Sequence, residues 1–135
     1  MQKIGTIDVC NVPYTVILYR DQYKEINKAM RDRNERYRLE DEEEEKKNAI
    51  DGYCDYSTKE IHVFTDDNTN EYYFKQTMLH EISHAFLYEI GYAHHGDEEF
   101  IDKISKWVPQ IYNIFNEGMK CYDKSIKESS GKKKN

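Results

Sequence analysis

The sequence predicts an α+β fold: a short antiparallel or mixed sheet packed on a central helix and a C-terminal helix. Three observations carry this. Residues 2–20 and 51–67 hold short β-branched and aromatic runs broken by turn residues. Residues 71–90 and 97–115 instead show apolar positions at three- and four-residue steps. The 135 residues fit one domain, placed at 1–125 with a charged helical excursion at about 28–50 and a polar, basic tail at 126–135.

In "QKIGTIDVCNVPYTVILYR", Ile4, Thr6 and Asp8 alternate with Gly5, Ile7 and Val9, and "CNVP" supplies a turn. Two strands are expected. Residues 21–50 have helical composition, with Ile26, Met30 and Tyr37 as a weak apolar stripe. The run Glu40 to Glu45 reads as a solvated helix face or a mobile excursion, with cation chelation or a basic partner as the alternative. "DGYCDYSTKEIHVFTDD" reads as a hairpin, Tyr53–Tyr56 against Glu60–Thr65, with Ser57–Lys59 turning.

The clearest helix spans 71–90, with Met78 or Leu79, Ile82, Phe86 and Ile90 as its stripe and Gly91 as its stop. A final helix starts near Asp97. Phe100, Ile101, Ile104, Trp107, Val108, Ile111 and Phe115 form its expected core stripe, and Pro109 should kink or divide it.

Composition narrows the function. A net charge of −6 argues against a nucleic-acid partner. Frequent aromatics, at 13%, argue against global disorder. Cys10, Cys54 and Cys121 are odd in number and widely spaced, so a reducing, cytosolic setting is expected. Neither a signal peptide nor a membrane span is legible. Nothing in the pattern sets an oligomeric state.

The chemistry concentrates in "TMLHEISHAFLYEIG". His80 and His84, at i and i+4, stack on one helix face and can reach one ion. Glu81 sits on the flank of that face, too far off to ligate but placed to act as a base on water at the ion. The alternative is a helix whose histidines are satisfied by hydrogen bonds. A catalytic zinc wants a third protein ligand and an open fourth position. Leu87 and Ile90 stand where a metzincin extension needs Gly and His. Glu98 is favoured as third ligand because Asp102, one turn on, can orient a ligating imidazole. Glu99 pairs with Lys103 and is the alternative, and His94, His95 and Asp97 stay open.

Together, "TMLHEISHAFLYEIG", the hairpin "GYCDYSTKEIHVF" and "DEEFIDKIS" resemble the small prokaryotic and phage zincins of the gluzincin type, nearest the ImmA/IrrE-like peptidases. The resemblance covers about residues 52–115. It implies a zincin-like domain, one Zn2+ held by His80, His84 and Glu98, and Glu81 as catalytic base. It further implies a metallopeptidase acting on protein or peptide in the cytoplasm of a bacterial cell or phage-infected host. One departure is that "FID" follows Glu99 where the ImmA/IrrE group usually has an alanine–asparagine pair after its glutamate ligand. His94, His95, Tyr92 and Tyr56 are candidate oxyanion donors. The strand "IHVFT" is expected to offer an edge to an extended substrate. A zincin-shaped binding module without turnover is the competing expectation.

Overall fold

The structure, a computed structural model, describes residues 1–33 and 50–133. The acidic run at 40–45 and Tyr37 lie outside the described residues. Within them the α+β class holds, with four strands in one mixed sheet and three helices.

Strands β1 (Gln2–Val9) and β2 (Val12–Arg20) form an antiparallel hairpin. Its two-residue turn places Cys10 at φ 53° and Asn11 at φ 68°. Positive φ at both positions is what a tight hairpin of native twist demands, and Asn tolerates it well. The Asn11 amide donates to Asp8 Oδ1 at 2.6 Å, closing the turn.

Helix α1 (Tyr23–Arg33) follows. Strands β3 (Gly52–Asp55) and β4 (Glu60–Thr65) make the second hairpin. The sheet order is β1-β2-β4-β3, and β2 pairs with β4 in parallel. Strand β4 is therefore interior. It has no free edge for a substrate, contrary to the expectation for "IHVFT"; among the described residues the outer strands are β1 and the four-residue β3.

Being interior also explains why Ile61, His62 and Val63 are all buried. A central strand covered on both faces loses its polar side. One face packs Tyr14, Val16, Leu18, Cys54, Ile61 and Val63 against Phe74, Met78, Ile82 and Ala85 of α2 (Glu71–Glu89). The other packs Ile17, Tyr19 and Tyr53 against Ile26, Ala29 and Met30 of α1. There His62 stacks on Tyr53, ring centroids 4.2 Å apart, and its Nδ1 lies 2.8 Å from the Tyr19 hydroxyl.

Helix α2 is closed at both ends. Asn70 Oδ1 accepts from the Tyr73 amide at 2.7 Å. At the C-terminus Gly91 sits at φ 76°, its amide bonds the Tyr88 carbonyl, and the Tyr92 amide bonds Leu87. That paired pattern needs a left-handed residue at 91, which glycine supplies without strain. The expected stripe of α2 divides: Met78 and Ile82 pack on the sheet, whereas its C-terminal half does not. Phe86 and Ile90 are 46% and 53% exposed. The helix is wedged between the sheet on one flank and α3 on another, so its outer side carries these two residues.

Helix α3 (Glu98–Lys133) runs 36 residues and is continuous through Pro109, so it is not divided there. It packs on α2. Only its first turns are covered: Ile101 and Ser105 are buried, whereas Trp107, Val108, Ile111 and Phe115 are exposed. The apolar stripe read as core leaves the domain instead of entering it.

Candidate metal centre

His80 and His84 lie on the flank of α2 that meets the first turn of α3. Asp97 caps that turn, accepting the Phe100 amide at 3.1 Å. The capped turn delivers Glu98 to the two imidazoles. Glu98 Oε2 is 2.8 Å from His80 Nε2, Glu98 Oε1 is 3.1 Å from His84 Nε2, and the two Nε2 atoms are 3.2 Å apart. Ligand atoms around a tetrahedral zinc at 2.0–2.1 Å sit about 3.3 Å apart. These three residues form one group of side chains able to hold a metal ion.

The outer nitrogens decide what the inner ones present. His84 Nδ1 donates to the His95 carbonyl at 2.6 Å. His80 Nδ1 is 3.0 Å from Asp102 Oδ1. Each partner accepts only, so each Nδ1 carries a proton, and in the neutral rings both Nε2 atoms point lone pairs inward. Two lone pairs and a carboxylate facing one another at about 3 Å repel unless a cation or added protons lie between them. The donor set therefore fits a divalent cation that takes nitrogen and oxygen ligands, zinc among them.

Glu99 points elsewhere. It is exposed, and its carboxylate lies 3.6 Å from Lys103 Nζ. Glu98→Gln is therefore expected to weaken metal affinity by at least about tenfold, whereas Glu99→Gln leaves it unchanged. Titration of zinc into the metal-free variants checks this, and the reverse ranking would move the third ligand to Glu99.

Glu81 is 6% exposed and lines the same pocket as the histidines. Burial, then the charges of Glu98 and Asp51, push its carboxyl up from 4.5 to about 8. Gly52 makes room for it. A Cβ there would lie 3.2 Å from Glu81 Cγ and 2.7 Å from the His62 carbonyl oxygen.

Without metal, the folded protein keeps the Glu81 proton between about pH 4.5 and 8 while the unfolded chain has lost it. The contribution of this carboxyl to stability is then full below about pH 4.5, falls as pH rises toward about 8 and is lost above it, something on the order of 5 kcal/mol. Urea midpoints of the metal-free protein should decline across that window, and Glu81→Gln should flatten the decline. A decline of equal size in the variant would assign it to other groups.

The pocket holds about 800 Å³. Its lining also includes Asp51, Tyr73, Gln76 and Met30. The Tyr73 hydroxyl donates to Asp51, which pushes the phenol up to about 12. None of these four residues stands out in the sequence, because the chain brings them together from three separate segments.

The expected oxyanion donors divide. Tyr92 and His94 are exposed and pack on each other, Tyr92 also on Phe100, outside the pocket lining. The turn after Gly91 carries them outward. His95 contributes its carbonyl rather than its ring, which packs edge-on against Tyr56 and Tyr88. Tyr56 does line the pocket, its hydroxyl 3.4 Å from His84 Nδ1.

No family model matches the chain, and no curated protein or solved structure matches it. Among the described residues no helix is long and apolar enough to cross a membrane.

Proposed function

We propose that the protein is a zinc-dependent metallopeptidase of the small zincin kind, acting on protein or peptide substrates in the cytoplasm. The observation that carries this reading is the convergence of His80, His84 and Glu98 beside a buried carboxylate in one open pocket. A pocket of about 800 Å³ is within the range of small-ligand sites and admits a few residues of extended chain.

A zinc ion in that place would supply Lewis acidity and a water acidified toward neutral pH. The residues do the rest. His80 Nε2, His84 Nε2 and a Glu98 oxygen would hold the ion. Asp102 and the His95 carbonyl fix the two rings by their Nδ1 protons. A cation nearby favours the ionised form of Glu81, which then accepts a proton from water as it attacks the peptide carbonyl and returns it to the leaving amine. Of the expected oxyanion donors Tyr56 lines the pocket, with its hydroxyl beside the outer nitrogen of His84.

The test is turnover. Zinc-loaded wild type should cleave an unstructured protein substrate, with loss on chelation and return on adding zinc. A protein that binds zinc and cleaves nothing across a broad peptide panel would instead be a zincin-shaped binding module.

A further inference from the structure

Helix α3 is roughly 54 Å long at 1.5 Å per residue. The domain covers only its start. Val108, Ile111, Tyr112, Phe115, Tyr122 and Ile126 fall within an arc of about 100° at 3.6 residues per turn. All six are exposed, Ile111 at 63% and Phe115 at 59%. The arc continues the face that buries Ile101 against the domain. The chain has little of its own to cover it: residues 34–49 and 134–135, outside the described structure, contain Tyr37 and Leu39 as their only large apolar residues.

We propose that this face is a dimer interface, in which α3 of one copy pairs with α3 of a second copy in antiparallel orientation.

Three observations select this occupant. The first is area. At 150–250 Å² for each aromatic side chain, the exposed stripe with Trp107 and Ile114 along its edge offers on the order of 800 Å² per copy, the share each partner gives to a standard stable interface. The second is spacing. Ile101, Ile104, Val108, Ile111 and Phe115 repeat in alternating three- and four-residue steps, and Tyr122 resumes the register after Gly118, the pattern of paired helices. The third is charge. The acidic excess of the chain lies N-terminal to α3, whereas Lys120, Lys124 and Lys127 stand toward its far end. Antiparallel pairing brings that end beside the acidic body of the other copy. Parallel pairing would set two acidic bodies side by side.

A membrane surface fits less well. Glu117, Asp123 and Glu128 interrupt the lysines, so the polar face is not strongly basic, and the net charge of −6 opposes approach to anionic lipid. The pairing leaves the metal centre open, because Glu98 and Asp102 lie on a different flank of α3 from the stripe.

Sedimentation of the full chain at micromolar concentration tests this. Wild type should run at twice the 16.2 kDa chain mass. The double variant Ile111→Glu/Phe115→Glu should run as a monomer with unchanged zinc content, since neither side chain is buried in the single chain's fold, and should melt at the lower temperature of a protein that has lost a stabilising partner. With Cys10 and Cys121 replaced by serine, Val108→Cys with Tyr122→Cys should give crosslinked dimers on mild oxidation, and Tyr122→Cys alone should not. A wild-type monomer overturns the proposal, whether or not it binds phosphatidylserine vesicles or another protein. A dimer that survives the double variant overturns the interface, and efficient crosslinking through Tyr122→Cys alone overturns the orientation.

Discussion

Glu81→Gln is expected to bind zinc as wild type does and to lose peptide cleavage by roughly 10³-fold, within the range assigned to a positioned general base. The amide keeps the volume of the buried side chain and the helix beneath it. It cannot take a proton from water. Because Glu81 makes no ligand contact in the cluster of His80, His84 and Glu98, metal affinity should change little. The measurement pairs zinc titration with steady-state cleavage of a quenched fluorescent peptide. Loss of both zinc and activity would make Glu81 a structural support for the centre, and full activity would remove it from the chemistry.

The second large effect is on stability. Zinc at a hundredfold excess over its dissociation constant should stabilise the metal-free protein by about 2.7 kcal/mol. In a domain of this size that corresponds to a rise in melting temperature of about 10 °C. His84→Ala should abolish the rise, because it removes one ligand and with it the bond from Nδ1 that anchors the turn at His95. His80→Ala should act likewise. Calorimetry with and without zinc reads the difference directly. A rise that persists in both variants would place the binding ion elsewhere.

The helix that carries "HEISH" was legible because it rests on local rules: three- and four-residue spacing and a glycine stop. The two hairpins were legible for the same reason. Long-range geometry was not. Parallel pairing of β2 with β4 depends on a crossover through α1 that leaves no local signature, and it puts β4 inside the sheet rather than at an edge. The covered face of α2 depends on where α3 docks, so periodicity put Phe86 and Ile90 on the wrong side.

At the site, spacing alone left Glu98 and Glu99 both open. The structure separates them because adjacent residues on a helix project about 100° apart. That turns Glu98 to the imidazoles and Glu99 to Lys103. The pocket wall of Asp51, Tyr73 and Met30 could be found only by folding the chain. The exposed stripe on α3 shows the opposite failure. Its periodicity was read as core, yet beyond Ile101 and Ser105 the stripe is exposed, because a three- and four-residue repeat does not show where the domain's cover ends.

The central claim is that His80, His84 and Glu98 hold one zinc ion. Crystals grown with zinc and measured on both sides of its absorption edge test it most directly. One anomalous peak per chain is expected, about 2.0–2.1 Å from His80 Nε2, His84 Nε2 and a Glu98 carboxylate oxygen. Absence of a peak there, or a peak that leaves any of the three residues uncoordinated, would contradict it.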